Sequence, residues 1–419
     1  MAILLGVTGA AAGLGWANSW WRPRGQEAAE DPVRDHWEQA KRASDDGDAA
    51  LAKTHLEAIL AFCPLNSQAQ FLMARNCRRL HDSESWPHLL LAESLGWPRD
   101  QWVLEERLMQ AEAGDVWNVE EALLDKLNRL PPEERVILEG LVKGYLNSAR
   151  FLDATEIATT WIKRYPSDWL AFLYRGRGYQ GLARWDEAIS DFRHVLAIRP
   201  DSIAATHWLA DALLAFHNFE GALDSYQAYY NLVPGDWEAL FAIAECQYSL
   251  GQPEAGTTVE NLLAKHPRHL GGLILSARIN LAENEADKAL LRLRQAQAIS
   301  PRDPEVLQIL IGALRQLNRH KEADQVNDQY GQILELAKQL SQLNEKIQNE
   351  PADASLRYDA GKLSLELGQE KAGSDWFQSV FYIDPDHRPT HLALAAYWAK
   401  HGQPQRAAYH RRRAEGKRR

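Results

Sequence analysis

The chain contains 419 residues, with 47 Lys+Arg against 57 Asp+Glu, so its formal net charge is −10. This acidic balance argues against a main body that binds nucleic acid by charge, and a hydrophobic content of 45% argues against wholesale disorder. Three cysteines are too few to crosslink a chain of this length, so a fold held together by disulfide bonds is excluded.

The N-terminal segment is uncharged and rich in Gly and Ala over residues 2–21. Twenty helical residues span roughly 30 Å, about the thickness of a bilayer core. Aromatic rings that suit a membrane interface cluster at its end: Trp16, Trp20 and Trp21. We therefore expect residues 1–21 to anchor the protein in a membrane, on a side that stays unresolved. The small-x-small triplet Gly15-Trp16-Ala17 offers a cleavage site, which leaves open a cleaved signal and a secreted or periplasmic protein. Residues 22–32 are interpreted as a linker.

Prolines set the organisation of the remaining chain. The first six are each 34 residues apart, the next two follow after 33 and 34, and the last two after 50 and 34. They are Pro64, Pro98, Pro132, Pro166, Pro200, Pro234, Pro267, Pro301, Pro351 and Pro385. A fixed period of this length predicts a helical repeat array, in which neighbouring repeats bury each other's apolar faces. The long step indicates that one repeat carries an insertion.

The repeat at 169–200 shows the internal pattern most clearly, with two amphipathic helices closed by a proline. Its characteristic positions are Phe172, Gly176, Tyr179, Ala188, Phe192 and Pro200. This pattern resembles the tetratricopeptide repeat family. The resemblance implies an all-α, right-handed superhelical solenoid of about eleven helix-turn-helix repeats. It also implies a non-enzymatic protein that binds peptides or partner proteins in a concave groove lined by the first helix of each repeat.

The repeats are assigned as follows. About eight occupy residues 33–303, one with an extended second helix occupies 304–353, and further repeats occupy 354–405, before a basic tail at 406–419. Aspartates immediately before first helices are expected to cap them. These are Asp168, Asp236 and Asp303.

The insertion at 320–350 carries an apolar stripe with alternating steps of four and three residues. Its members are Val326, Tyr330, Ile333, Ala337, Leu340, Asn344 and Ile347. One interpretation is a helix for self-association or docking. The favoured interpretation is an overlong second helix whose stripe joins the core of its own chain.

No motif indicates an enzyme, a cofactor or a metal. A GxGxxG match at 176–181 falls inside a repeat helix rather than between a strand and a helix, so it does not predict a dinucleotide site. Two histidine pairs straddle proline turns without a nearby carboxylate or thiol ligand: His266 with His269, and His387 with His391. The cysteines are interpreted as small buried hydrophobes: Cys63, Cys77 and Cys246.

The candidate binding surface follows from the family resemblance, which implies that the ninth residue of each first helix faces the groove. These residues are Arg75, Met109, Lys143, Arg177, Asp211, Ala244, Arg278, Gly312, Lys362 and Ala396. Five are basic and one is acidic, which favours an acidic segment or a terminal carboxylate as ligand. The candidate partner-binding residues are Arg75, Lys143, Arg177, Asp211, Trp208, Arg278 and Lys362. The alternative is that the long basic side chains pair with carboxylates of neighbouring helices.

The basic tail holds seven Lys and Arg against one acid, Glu415. It is interpreted as a solvated cap on the last helix, with contact to anionic lipid or nucleic acid as the alternative. Taken together, the sequence predicts a membrane-tethered, non-enzymatic scaffold for partner proteins or acidic peptides. Two alternatives stay open. One is a regulatory or assembly subunit of a membrane or envelope enzyme complex that docks through 320–350. The other is a nucleic-acid-associated adaptor using the tail, which the acidic body disfavours.

Overall fold

The computed structural model describes residues 32–416, and within them the chain is built from α-helices without a strand. It divides into two compact units, one ending at Ala183 and one beginning at Arg184. We call them unit 1 and unit 2 and describe each by itself. The division falls between the two helices of the repeat at 169–200, which is the repeat that best matches the family pattern.

Unit 1 contains nine α-helices among its described residues, and a short π-helical turn, Ala111–Asp115, separates the fifth from the sixth. The bounds are α1 Pro32–Asp46, α2 Ala49–Phe62, α3 Ser67–Arg79, α4 Ser85–Ser94, α5 Arg99–Gln110, α6 Val116–Asn128, α7 Glu134–Asn147, α8 Phe151–Arg164 and α9 Trp169–Gly181. Odd-numbered helices are the first helices of the repeats, and even-numbered helices are the second helices.

Unit 2 contains thirteen α-helices among its described residues. The bounds are α10 Trp185–Ile198, α11 Ile203–Ala215, α12 Phe219–Leu232, α13 Trp237–Ser249, α14 Glu254–Lys265, α15 Leu270–Ala282, α16 Ala286–Ile299, α17 Pro304–Gln316, α18 His320–Asn349, α19 Ala354–Glu366, α20 Glu370–Val380, α21 Arg388–Lys400 and α22 Pro404–Ala414. Most are 11 to 14 residues long, whereas α18 has 30 residues.

Neighbouring helices pack in pairs within each unit. In unit 1, α1 packs on α2, α3 on α4 and α7 on α8; in unit 2, α11 packs on α12, α15 on α16 and α21 on α22. Each of these second helices that has a following first helix in its unit also packs on it, as α12 does on α13. The predicted all-α architecture of helix-turn-helix pairs is confirmed.

Side-chain caps begin several of the first helices, as the sequence predicted. Asp168 accepts a hydrogen bond from the Leu170 amide, and Asp236 accepts from the amide of Glu238. Asp303 accepts in the same way at the start of α17. Each carboxylate satisfies an amide that has no partner inside the helix, which fixes where the helix starts.

A left-handed residue ends the first helix of most repeats, and in six of them it is not glycine. These residues are His81, Ala149, Ala183, His217, Asn284 and Asn318, with φ between 55° and 61°. Their spacing follows the period of 33 to 35 residues, with Gly114 and Gly251 in the same series. The strained conformation is therefore a property of the repeat turn, and it costs about 1–2 kcal/mol per L-residue.

Close packing inside a repeat depends on small residues in the first helix. A Cβ atom on Gly361 in α19 would lie 2.6 Å from the ring of Phe377 in α20. Phe377 is almost fully buried, at 1% exposure, so the ring fills the space that the missing side chain leaves. These two residues stand at family positions, and their contact explains why a small residue is required there.

The expected membrane-anchored localisation is corrected. Among residues 32–416, no helix is both long enough and apolar enough to cross a bilayer. The longest one, α18, carries charged side chains along its length, from Lys321 to Lys346. The segment 2–21, to which the sequence assigned an anchor or a cleaved signal, lies outside the described residues. The membrane-anchored localisation is therefore withdrawn.

Candidate protein-binding surfaces

Charged side chains from three first helices meet in the interior of unit 1. Arg78 on α3 donates from Nε to Glu105 Oε1 on α5 at 2.5 Å, and its Nη1 pairs with Glu112 in the π-helical turn. Lys143 on α7 places its Nζ 2.8 Å from the second oxygen of Glu112. All four residues are at most 6% exposed. Burial makes each charge dependent on its partner, because an unpaired ion in this position is strongly destabilising.

A second buried pair extends this cluster. Arg79 on α3 donates from Nη2 to Glu139 Oε2 on α7 at 2.6 Å. Burial opposes the ionisation of Glu139, but the positive charges of Arg79, Lys143 and Arg78 outweigh burial and hold the pKa of this carboxyl at about 2. The surrounding basic side chains thus favour the ionised form of Glu139 inside unit 1.

The turn between α1 and α2 also faces the interior of unit 1. Arg79 donates from Nη1 to the Ser44 carbonyl at 2.6 Å, and the Trp169 indole donates to the Asp46 carbonyl at 3.1 Å. A Cβ atom on Gly47 would overlap the side chain of Leu170. The turn of the first repeat is therefore held by α3 and α9 of the same unit.

Two of the candidate partner-binding residues belong to this closed interior. Residues 137–145 of α7 are all buried, and Lys143 among them is 4% exposed. Arg75 donates from Nε to Glu105 Oε2 at 3.2 Å. Both side chains neutralise carboxylates of neighbouring helices, which is the alternative that the sequence left open for the basic stripe.

In unit 2, the first helices present a different surface. We define the first-helix face as the second, fifth and ninth residues of α11, α13, α15 and α17, which are spaced to lie on one side of each helix. Its members are Ala204, His207, Asp211, Glu238, Phe241, Glu245, Gly271, Ile274, Arg278, Glu305, Gln308 and Gly312. Four carboxylates and one arginine give this face a net charge of −3 with His207 neutral.

Direct contacts join successive helices across this face. Phe241 of α13 lies over Gly271 of α15, where a Cβ atom would be 2.8 Å from the ring. Arg278 of α15 donates from Nη2 to Glu305 Oε1 of α17 at 2.6 Å. The face is therefore one continuous surface from α13 to α17, with Arg278 already paired within it.

The structure corrects the predicted groove residue of α13. Because α13 begins at Trp237, its ninth residue is Glu245, whereas the predicted Ala244 is 0% exposed in the core. The 33-residue step runs from Pro234 to Pro267, so the shortened spacing falls after α13. The prediction placed the shortened spacing before α13, between Asp211 and Ala244, and so chose a residue one position too early. Counting nine residues from the Asp236 cap would have found Glu245 in the sequence.

Glu245 is a half-buried carboxylate that makes no hydrogen bond or ion pair to any described residue. Burial raises the pKa of Glu245, the nearby charge of Arg278 opposes this rise, and the charge of Glu305 adds to it. Glu305 forms an ion pair with Arg278. Glu245 is therefore the acceptor on this face whose charge is least well compensated.

Asp211, a member of this face, and its neighbour Trp208 on α11 both have partners within unit 2. The Trp208 ring is half-buried, and its centroid is 6.1 Å from that of Phe192. Asp211 accepts a hydrogen bond from the Tyr226 hydroxyl at 2.7 Å. Burial and this acidic partner raise the pKa of Tyr226, which favours the neutral phenol that donates the hydrogen bond.

The remaining two candidates, Arg177 and Lys362, are exposed. Arg177 on α9 donates to Gln180 on its own helix at 2.8 Å. Lys362 on α19 lies over the Tyr358 ring and lines a crevice of about 330 Å³ between α18 and α19. In unit 1, the predicted residues Arg75 and Lys143 are paired with carboxylates and Arg177 is exposed; in unit 2, Arg278 is paired with Glu305 and Lys362 is exposed.

The apolar stripe of α18 packs within its own chain. Val326, Ile333 and Ile347 are at most 7% exposed, and Tyr330 and Leu340 pack against the core that α17 contributes to. This arrangement agrees with the favoured interpretation of an overlong second helix. Ala337, another member of the stripe, is exposed, and docking or self-association through 320–350 stays a prediction.

The basic tail is partly engaged by the last repeat. The Arg406 guanidinium lies 4.8 Å from the centre of the Trp398 ring, and Arg413 donates to Asp386 Oδ1 at 2.7 Å. Arg411 and Arg412 are exposed, and residues 417–419 lie outside the described part of the chain. These contacts fit a cap on the final repeat.

The thiols do not behave alike. Cys77 and Cys246 are buried, and burial raises their pKa values to about 11 and about 12. Cys63 is exposed, so its prediction as a buried hydrophobe is wrong. The residue is the C-cap of α2, where the chain leaves the helix toward solvent. Within residues 32–416, no group of three or more His, Cys, Asp or Glu is placed to hold a metal ion.

Comparisons with known proteins give distant likenesses. No family model matches the chain. A curated relative, "Protein CTR9 homolog" of Arabidopsis thaliana, is 24% identical over 304 residues, which are 64% of this chain and 26% of the relative. The chain thus spans about a quarter of the length of the curated relative it matches.

Among solved structures, similar chains include PilW, described as a widely conserved type IV pilus biogenesis factor. It has a TM-score of 0.42 and 20% identity, and the match covers 48% of this chain and 93% of PilW. A tetratricopeptide repeat protein from Parabacteroides merdae has a TM-score of 0.34 and 17% identity, with 68% and 99% covered. At these scores and identities, the likenesses say nothing about what this chain binds.

The resemblance to tetratricopeptide repeat proteins is thus confirmed for the helix-pair architecture. Stacked repeats create extended surfaces rather than a single enclosed pocket, so the candidate site is a surface.

Proposed function

We propose that this protein is a non-enzymatic scaffold that binds a partner protein across the first-helix face of unit 2. The observation that carries the proposal is the contrast between the units. In unit 1, the predicted groove residues Arg75 and Lys143 are paired with carboxylates inside the unit. In unit 2, the face is continuous from α13 to α17 and keeps a half-buried carboxylate, Glu245, that makes no hydrogen bond or ion pair to a described residue.

The face has the composition of a protein-binding surface. Phe241 is half-buried on this face and supplies apolar surface, while Glu238 and Arg278 are exposed. Buried apolar centres with polar rims are typical of protein interfaces. At Gly312, a Cβ atom would meet no atom within 4 Å, so α17 leaves room for a partner's side chain.

The open position at Gly312 allows a sharp test. A Gly312→Tyr substitution places a large ring on the face without a clash inside the chain. Gly331→Tyr is the matched control, because Gly331 is also an exposed helical glycine with open space around it, but lies on the second helix α18. Both changes replace glycine in a helix and should preserve or raise stability.

The experiment is affinity capture from native extract with the full chain and the two variants, read by quantitative mass spectrometry. We expect partners to be retained by Gly331→Tyr and lost with Gly312→Tyr. Equal capture by all three proteins would overturn the proposal that this face binds partners. Each partner found would then be purified and its affinity for the three chains measured.

A further inference from the structure

We infer that the first-helix face of unit 2 takes a basic segment of its partner, with a Lys or Arg side chain placed against Glu245. This inference rests on the proposed function, because it concerns the same face. The inferred basic segment is opposite in charge to the acidic ligand that the sequence analysis predicted from a basic stripe.

The charge of the face supports a basic occupant. Acidic residues stand on three of its four helices, at Asp211, Glu238, Glu245 and Glu305. Its one arginine, Arg278, is held by Glu305 at 2.6 Å. An acidic segment would therefore meet a face of net charge −3 whose cation is already paired, while a basic segment would find complementary charge.

The surroundings of Glu245 favour direct pairing over long-range attraction. Its carboxylate is half-buried and has no hydrogen-bond partner among the described residues. A charge that is already partly removed from water loses less solvation when a partner arrives. A cation that reaches this carboxylate would form a charge-assisted hydrogen bond in a partly dry setting, where such bonds are strong.

The neighbours of Glu245 on α13 suit a long basic side chain. Glu238, Phe241 and Glu245 are separated by three and four residues, so they form one stripe along the helix. Phe241, half-buried against Gly271 and the His269 ring, stands between the two carboxylates along this stripe. Lys and Arg side chains place their methylene stems on apolar surface and their charged ends in polar surroundings. The stripe therefore presents an apolar side chain for the methylene stem and carboxylates for the charged end.

The test uses the purified full chain and two fluorescein-labelled probes. One is a twelve-residue peptide of alternating lysine and alanine, and the other carries glutamate in place of lysine. Binding is measured by fluorescence anisotropy at low and moderate salt. Glu245→Gln removes the charge and keeps the shape. Asp224→Asn is the matched control, since Asp224 is an exposed carboxylate on the second helix α12.

We expect the lysine peptide to bind the native chain and the glutamate peptide not to bind. We expect Glu245→Gln to weaken binding of the lysine peptide by about tenfold, as loss of a charged hydrogen bond implies, and Asp224→Asn to leave it unchanged. Binding should weaken as salt is raised. In addition, Glu245→Lys should lose the lysine peptide and gain affinity for the glutamate peptide.

Equal affinity of the native chain and Glu245→Gln for the lysine peptide would overturn the inference, as would preference of the native chain for the glutamate peptide. These outcomes are separable from failure of the proposed function. If Gly312→Tyr abolishes capture of native partners while the lysine probe ignores Glu245, the face binds proteins but not through a basic segment. If Gly312→Tyr changes neither capture nor probe binding, the face is not a binding site.

Discussion

Lys143 Nζ lies 2.8 Å from Glu112 Oε2 inside unit 1, where the two residues are 4% and 6% exposed. Glu112 also receives Arg78, so one carboxylate in the π-helical turn joins α3 to α7. Basic residues of the predicted stripe are thereby used to hold unit 1 together.

The first prediction concerns this pair. Lys143→Met should destabilise unit 1 by about 3–5 kcal/mol, because it leaves Glu112 with less compensation in a buried position. The measurement is chemical denaturation together with hydrogen exchange of α7. Lys362→Met on exposed α19 is the control and should change stability by no more than about 0.5 kcal/mol. Comparable losses in both variants would contradict a structural role for the buried network.

The second prediction concerns the left-handed turn residues. Ala149 is exposed with φ 56°, so Ala149→Gly should raise stability by about 0.5–1 kcal/mol. The expected gain in stability is the strain energy relieved at the left-handed position, reduced by the greater backbone entropy that glycine loses on folding. Ala58→Gly inside α2 is the opposite control and should lower stability by about 1 kcal/mol. Thermal unfolding of the two variants measures the difference, and a loss in Ala149→Gly would refute the assigned turn geometry.

The third prediction concerns packing between α19 and α20. Gly361→Ala should cost about 1–3 kcal/mol, because the new Cβ would lie 2.6 Å from the buried Phe377 ring. Gly331→Ala provides the matched comparison. Its Cβ meets open space, so it should stabilise the helix by up to about 1 kcal/mol. If both variants unfold at the same denaturant concentration, the close approach of the two helices is not present in solution.

The fourth prediction concerns two histidines of the last repeat that should titrate in opposite directions. His410 Nδ1 lies 2.9 Å from His391 Nδ1, and burial, aided by His391, lowers the pKa of His410 to about 4. The exposed ring of His401 has a raised pKa, because it bonds to the Tyr397 carbonyl and to Glu370.

The signs of the two stability effects follow from linkage. His410 binds its proton less readily when folded, so it withdraws stability from the α21–α22 pair as the pH falls from about 6.5 to about 4. His401 binds its proton more readily when folded, so its contribution is complete below about pH 6.5 and is lost as the pH rises through its folded pKa. The charges near His391 are Asp384, Asp386 and Arg413.

NMR titration of the imidazole protons measures both effects. We expect His410 to titrate well below the ordinary histidine value and His401 above it. Hydrogen exchange of α22 should speed up at low pH, and His410→Gln should reduce this dependence. An ordinary pKa for His410 would show that the two rings do not meet as described.

The fifth prediction concerns thiol reactivity. Iodoacetamide should label one of the three cysteines of the native chain, Cys63, because Cys77 and Cys246 are buried and their pKa values are raised to about 11 and about 12. Mass spectrometry of the labelled chain identifies the site, and denatured protein should label at all three. Rapid native labelling of Cys246 would mean that the core of unit 2 opens readily.

Much of the local structure could be predicted from the sequence. Caps at Asp168, Asp236 and Asp303 follow from short-range chemistry, and so does the end of most second helices shortly before a proline. The left-handed residues were harder to predict. Asn284 and Asn318 are residue types that tolerate this conformation, but Ala149 carries no such signal.

The candidate binding surface was predicted less well, as Glu245 shows. An error of one residue in the register exchanged a half-buried carboxylate for a core alanine and removed the acid that defines the face. On a helix, one residue is a rotation of about 100°, so register decides which side chains a partner can meet.

The period of 34 residues by itself determined that this chain folds as stacked helix pairs, because helix starts, helix ends and apolar faces depend on residues within one repeat. Only the tertiary structure decided which charged side chains remain available to a binding partner. Arg79 pairs with Glu139, 60 residues away, and Trp169 bonds to the Asp46 carbonyl, 123 residues away. A basic side chain looks alike in the sequence whether it is buried beside a carboxylate or faces solvent. Its role depends on packing between distant repeats, where desolvation gives each charge its energetic consequence.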